Sequence, residues 1–516
     1  MAKETSSKLA RGVVFLTTAN LIVKAAGLLF KIPLTAMIGE EGMGYYSGAY
    51  TLFTWLYMLF AAGLPAASAT LIPRLPAARR SSGAMRIFGV SMAIFVPLGL
   101  LGSALLIFGA GPISYLMKIE RSRLAIIAIA PTLFFICQSA ALRGYFQGFG
   151  EFGWNALSQI AEAIGKAALG VALAHRALAR GASIPEAAAW AAVGITAGVG
   201  AGMLVLYLAM LFTKRCRGEK SQALPDITPR RTIASRLLSA AMPIALSSSV
   251  MSLTGLIDTL LMTRCLHAAG LSQAETAALY GNYTALAVPM FNLPPVLTAS
   301  AAAALLPALT EALAAGDAAR AKRLTSAAAS LTMALAIPAS IGMAALAEPI
   351  LALFFAPEVA ARGAGALTLL APSSAMLCMI GLTNTILQAS GHARVPLYAM
   401  LAGAAVKLTA TWLLTPHLLQ YAAPISTGAC YFTVLAISLA AIAAKTELCG
   451  AMGLRAAMRP MVPAAIAVSA AVMLRPLIGG RIGTLAAIAA ACAVYAALTA
   501  MCSPEVLRMI KGKRGT

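Results

Sequence analysis

The chain has 516 residues, 60% of them hydrophobic and 11% charged, with a mean hydropathy of +0.84; soluble domains carry about 25% charged residues, so a water-soluble globular fold is excluded. The net charge of +22 would suit nucleic acid, but the basic residues sit in loops between apolar runs and form no soluble basic domain, so the sequence implies no nucleic-acid partner. The eight cysteines are scattered and form neither a CxxC nor a Cys/His cluster, which argues against disulfides and structural zinc.

Apolar runs of about 18 residues or more recur from end to end, the pattern of an all-α integral membrane protein. Hydropathy predicts fourteen spans, near 13–38, 45–72, 87–111, 123–146, 154–175, 187–213, 237–264, 276–305, 326–355, 364–388, 394–416, 424–444, 458–476 and 482–502. The first run carries two lysines and lacks a small-residue cleavage site, so it reads as a retained span rather than a signal peptide. Of the 39 lysines and arginines, 26 fall in one alternating set of loops, Arg143 counted among them. That bias puts both termini on the cytoplasmic side of a bacterial cytoplasmic membrane crossed many times.

Span one holds a polar stripe. Asn20, Lys24, Gly27 and Lys31 are spaced four, three and four apart and share one helix face, while the rest of the span is apolar. A lysine near the bilayer centre costs about 2.5–3.5 kcal/mol on insertion scales and usually faces a bundle interior or a wet cavity. Lys24 and Lys31 are about 10 Å apart along the axis, a separation that suits a diphosphate or two anionic groups. Lys31, near the outer end, has snorkelling as its alternative.

The longest polar break, residues 214–236, follows span six and reads as a linker. Across it the sequence repeats: Met92, Pro97, Ala130, Pro131, Cys137, Gln147 and Lys166 recur at a constant offset of 241 as Met333, Pro338, Ala371, Pro372, Cys378, Gln388 and Lys407. This predicts two pseudo-symmetric six-helix lobes, 1–225 and 226–450, with two further helices and a cytoplasmic tail in 451–516. Spans two and eight carry Gly63, Pro65 and Pro73, and Pro289, Pro294, Pro295 and Pro307, so both are expected to be broken. Paired breaks point to a central binding site, with plain packing kinks as the alternative.

Other intramembrane polar residues complete the candidates. Glu162 and Lys166 stand four apart and are expected to form a structural pair. Lys407 has Gly403 rather than an acid four residues earlier and is the better candidate for facing a cavity. Asp258, the one acid deep in span seven, would hold Na⁺ or a proton for coupling, or pair with a cavity lysine. Asn384 and Gln388, with Gln138 and Gln147 on span four, would bind sugar hydroxyls or bond between helices. No nucleotide-binding loop, nucleophile elbow or HExxH is present, so no enzyme and no cofactor beyond a coupling ion is expected.

Lys31-Ile-Pro-Leu-Thr-Ala-Met-Ile-Gly-Glu-Glu-Gly-Met-Gly-Tyr-Tyr46 resembles the first-loop signature of the polysaccharide-transporter branch of the multidrug/oligosaccharidyl-lipid/polysaccharide (MOP) exporters, in the group of stage V sporulation protein B and MurJ-type lipid II flippases. Leu279-Tyr-Gly-Asn282, Leu293-Pro-Pro-Val-Leu297 and Ala347-Glu-Pro-Ile350 resemble the second half of the same family. The resemblance implies two six-helix lobes forming a V-shaped central cavity plus two C-terminal helices, and alternating access that moves an undecaprenyl-diphosphate-linked glycan between leaflets, membrane lipid taking its tail. It also implies cations on helices one, two and eight; Lys24 and Lys31 match on span one, while spans two and eight have no intramembrane lysine or arginine. The rivals are a cation-coupled multidrug antiporter and a non-transporting scaffold for cell-wall or polysaccharide synthesis enzymes.

Overall fold

The computed structural model describes residues 2–75, 80–216, 229–392, 394–448, 450 and 459–502, with side chains in the first helix described at 23, 26, 27 and from 29 onward. Among these residues every regular element is helical, as lipid demands: only helices and closed barrels satisfy all backbone groups within the bilayer. The first half is built from α1 (Ala2–Phe60), α2 (Gly63–Leu71), α3 (Arg80–Leu116), α4 (Arg123–Ile129), α5 (Thr132–Gly148), α6 (Phe152–Ala179), α7 (Ile184–Cys216), α8 (Arg230–Ile257), α9 (Thr263–Ala268) and α10 (Gln273–Asn282). It continues with α11 (Val288–Phe291), α12 (Leu293–Ala314), α13 (Ala318–Ala345), α14 (Ala347–Phe354), α15 (Pro357–Ala389), α16 (Val395–Leu418), α17 (Ala422–Lys445), α18 (Met461–Ile478) and α19 (Gly480–Cys502).

Ten described stretches are long and apolar enough to cross a membrane. Two of them, Leu29–Leu71 and Val395–Lys445, run to 43 and 51 residues: the second contains two passes, and the first joins the last turns of pass one to pass two. With α10–α12 and the shorter α18, the described chain makes 14 helical passes, the number read from hydropathy.

The first two passes are one continuous helix apart from a single residue. Gly39 has φ 68° and ψ −174°, and the chain reverses there. Phe30 and Tyr46 show the reversal: their ring centroids are 5.7 Å apart, whereas 16 residues of straight helix would separate them by about 24 Å. The first-loop signature therefore builds a hairpin. Within it the Tyr45 hydroxyl donates to Glu41 at 2.6 Å, and Arg121 reaches the same carboxylate at 3.6 Å.

Both expected breaks are present. Span two stops at Phe60 and restarts at Gly63, where a Cβ would collide with the carbonyl of Ala241 on α8. Span eight runs as α10, a π-turn at Tyr283–Ala287, α11 and α12, with Pro289 and Pro294 in the first turns of the last two. Asn292 sits at the second interruption, where its backbone N–H and its side-chain amide both donate to the Val288 carbonyl, at 3.2 and 2.8 Å.

Packing divides the chain into two compact units, 1–281 and 282–516. This boundary falls later than the 225/226 boundary drawn from the repeat, because α8 lies against α1, α2 and α3. The core of the first unit gathers Leu64, Ile72, Leu142, Phe146, Leu206 and Leu237. The second is centred on Leu309, Leu382, Ile386 and Ile442. There α18 and α19 pack on each other, and α19 is tied to α13 by the Tyr495 hydroxyl, which donates to Ala334 O at 2.8 Å. The repeat leaves a trace inside each unit: Ser103 donates to Ala130 O at 2.8 Å and Ser340 to Ala371 O at 2.7 Å, both carbonyls lying just before the repeated prolines.

Candidate functional site

The polar chemistry of the first unit rests on one helix crossing. Gly194, Gly198 and Gly202 recur every four residues on α7 and share a face. A Cβ at Gly198 would stand 2.8 Å from Glu162 O and 2.9 Å from Lys166 Cγ, and one at Gly202 would stand 2.9 Å from Ser158 O. Small residues let membrane helices close on each other. This seam presses α7 onto the turns of α6 that carry Ser158, Glu162 and Lys166.

Glu162 is held from two sides. Lys166 Nζ lies 2.8 Å from Oε1, and Arg143 Nη2, from α5, lies 2.8 Å from Oε2. The same Arg143 nitrogen donates to Ser158 Oγ at 3.1 Å, and Asn155 Nδ2 donates to the Arg143 carbonyl at 3.1 Å. By sequence Arg143 groups with the loop cations; in the structure it is inside α5 with its side chain 11% exposed, against 13% for Glu162 and 25% for Lys166. One carboxylate facing two cations leaves a net positive charge among membrane helices. Tyr57 is close enough to interact electrostatically with all three groups, and Tyr50 with Lys166. These tyrosines belong to a row, Tyr46, Tyr50, Phe53 and Tyr57, whose successive centroids are 6.0, 6.2 and 6.3 Å apart.

The other candidates are dispersed. The stripe positions 20, 24, 27 and 31 lie on unbroken helix, Lys31 is half-buried beside buried Phe30, and the side chains of Asn20 and Lys24 lie outside the described residues. Asp258 is 5% exposed at the head of a π-turn, Asp258–Met262, within electrostatic reach of Tyr280. The Tyr280 hydroxyl is 2.6 Å from Thr259 Oγ1 and 3.3 Å from Thr51 Oγ1, so Asp258 is set beside a hydroxyl cluster. Gln138 is used between helices, accepting from the Tyr207 hydroxyl at 2.8 Å.

In the second unit Lys407 is 2% exposed. Its Nζ donates to Thr427 Oγ1 at 3.0 Å, and the Tyr283 hydroxyl lies 3.4 Å from that same oxygen. Gly403, where an acidic partner would have stood, packs so tightly that a Cβ would meet Val434 Cγ2 at 2.5 Å and Cys430 O at 3.0 Å. Asn384 is half-buried with its Oδ1 enclosed and making no hydrogen bond, and Gln388, one turn on, is exposed.

Sequence reasoning missed Arg143 as a partner of Glu162 and missed the glycine seam. The second carried a readable signal, the GxxxGxxxG spacing on α7.

The family described as "Polysaccharide biosynthesis protein" matches residues 9–313, and the MatE family matches 243–413. Stage V sporulation protein B of Bacillus subtilis (strain 168) is 28% identical over 312 residues, 60% of this chain; the match spans 59% of that relative's length. Lipid II flippase MurJ of the same organism is 21% identical over 420 residues, covering 78% of this chain and 76% of that protein. Among solved structures, lipid II flippase MurJ in an inward closed conformation superposes with a TM-score of 0.71 at 13% identity, over 96% of this chain and 100% of that one, a likeness of fold.

Proposed function

We propose a function from the premise that this chain belongs to the polysaccharide biosynthesis protein family, within the MOP exporters: it moves a polyprenyl-diphosphate-linked glycan from the cytoplasmic to the outer leaflet of the membrane. The observation that carries this reading is the net positive Arg143–Glu162–Lys166 cluster inside the membrane helices. A charge kept there at a cost of several kcal/mol has a use, and a diphosphate is an anion that two cations can serve. In this reading Asn20, Lys24 and Lys31 extend the cationic face along span one, Asn384 and Gln388 offer hydrogen bonds to saccharide hydroxyls, and Lys407 supports the second lobe. Alternating access between two six-helix lobes supplies the motion. Asp258, beside its hydroxyl cluster, is the candidate for Na⁺ or proton coupling.

The relatives named for sporulation and for lipid II flipping support a cargo built for cell-wall or surface polysaccharide; the reading adds synthesis enzymes as neighbouring partners and, from the loop bias of lysine and arginine, both termini in the cytoplasm. Depleting the protein and measuring lipid-linked precursors by mass spectrometry with a leaflet-accessibility assay tests this. The expected result is one polyprenyl-diphosphate glycan trapped on the cytoplasmic side, with rescue by the wild-type chain and not by Lys24→Ala. Full rescue by that variant overturns the role given to Lys24.

The MatE match over 243–413 favours a second reading, a cation-coupled multidrug antiporter. It predicts altered sensitivity to cationic drugs on depletion, with no precursor accumulating.

A further inference from the structure

A cavity of about 670 Å³ opens between the beginnings of α3 and α8, away from the Glu162 cluster. Its described lining holds three arginines, Arg86, Arg230 and Arg231, and neither aspartate nor glutamate. The remaining wall is mostly apolar, with Met85, Val90 and Ile94 from α3. The apolar runs of the two helices begin near residues 87 and 237, just beyond the arginines, so a bilayer matched to those runs puts the arginines at headgroup depth and the apolar wall inward.

That wall continues along α3. Ala93, which lines the cavity, and Pro97, Leu101 and Leu105 follow one another at spacings of four and so share an exposed face. Leu101 and Leu105 are 67% and 58% exposed, open to lipid. From residue 93 to residue 105 the helix rises about 18 Å, enough to run the depth of one leaflet of the hydrocarbon core. A cationic rim above an apolar track of that length matches an amphiphile with an anionic head. A soluble anion would use only the rim.

We propose that this cavity binds the phosphodiester headgroup of an anionic membrane phospholipid, with an acyl chain laid along the Ala93–Leu105 face of α3. The guanidinium forks of Arg86, Arg230 and Arg231 offer bidentate hydrogen bonds to phosphate oxygens, a geometry that lysine lacks. Arg86 is on α3 and the other two are on the first turn of α8, so the headgroup ties these helices together and makes the packing of α8 depend on bilayer composition. The proposal is independent of the cargo that the protein carries.

The test is binding to the purified full-length chain, read by native mass spectrometry and by the thermal midpoint in mixed micelles. The probes are phosphatidylglycerol, phosphatidylcholine and soluble glycerol phosphate. Phosphatidylglycerol is expected to give a retained one-to-one adduct and a raised midpoint, with phosphatidylcholine and glycerol phosphate giving neither. Replacing all three residues (R86Q, R230Q, R231Q) should weaken the adduct about a hundredfold. Gly89→Leu supplies the second variant: a Cβ at Gly89 meets nothing within 4 Å, so the larger side chain has room to project into the cavity beside Arg86. It should abolish the adduct while all three arginines and the lipid-free midpoint are retained. Equal phosphatidylglycerol retention by wild type and Gly89→Leu overturns the proposal, as does retention of glycerol phosphate as strong as that of the lipid.

Discussion

Lys166 and Lys407 occupy equivalent positions in the internal repeat, yet the first is held by a carboxylate at 2.8 Å and the second by a threonine hydroxyl at 3.0 Å. The difference originates at the fourth residue before each lysine. Glu162 has room on α6, whereas Gly403 lies against Val434 and Cys430 and admits no side chain. The two repeated lysines thus make different contacts, the first an ion pair with a carboxylate and the second a hydrogen bond donated to a hydroxyl oxygen.

Glu162→Gln leaves Arg143 and Lys166 facing each other without the charge that reconciles them. Breaking a buried pair from one side costs about 3 kcal/mol or more. The thermal midpoint of the detergent-solubilised protein should fall clearly in this variant and recover in part when Arg143→Met is added. A midpoint unchanged by Glu162→Gln would mean that the cluster contributes nothing to the fold.

The glycine seam gives a steric prediction. Gly198→Leu places its side chain on the backbone and side chain of the Glu162–Lys166 turn, so α6 and α7 must part. Overpacking costs about 1–3 kcal/mol at well-packed sites, more when backbone is struck. The variant is expected to reach the membrane in low yield and to lose precursor transport. Gly200→Leu is the control: a Cβ there meets nothing within 4 Å, and yield should be unchanged.

At the hairpin, Gly39 has φ 68° and ψ −174°, a region that belongs almost solely to glycine. A Cβ there has no neighbour within 4 Å, so Gly39→Ala probes the backbone alone. The expected penalty is about 1–3 kcal/mol, read as a lowered thermal midpoint.

The start of α10 carries a pH-dependent cap. Ser272 donates to Glu275 through both its hydroxyl, at 2.7 Å, and its backbone N–H, at 2.9 Å. The side-chain bond first, then the backbone bond, lowers the Glu275 carboxyl below its usual range. A depressed carboxylate stabilises the helix start above its unfolded pKa, and the effect is lost as pH falls through the lower folded value. Hydrogen-exchange protection of residues 275–278, corrected for intrinsic rates, should hold at pH 7 and drop once pH passes below about 4. Glu275→Gln should show the low protection at both pH values.

Much of this architecture was legible in residue order. Apolar length set the number of passes, proline and glycine marked the breaks at 61–62 and 292, and a spacing of four put Glu162 and Lys166 on one face. What escaped depends on proximity that spacing does not encode. Arg143 is 19 residues from Glu162 and lies near the end of a span, so by sequence it resembles any snorkelling cation. Lys407 and Lys166 look alike as letters, and only the packing of α16 against α17 decides that the former is enclosed. Asn20 and Lys24 show the reverse case, with their stripe plain in the sequence and their side chains outside the described residues.

The π-turn at Asp258–Met262 has a mechanical consequence. One surplus residue in a helix acts as a dislocation does in a crystal. Shifting it by a turn swivels the intervening stretch by about 100°, the angle of one residue, while the chain stays hydrogen-bonded above and below. Span seven can therefore re-aim the side chains around Asp258 in a discrete step, like a gear advancing by one tooth, with no exposed backbone left in the hydrocarbon.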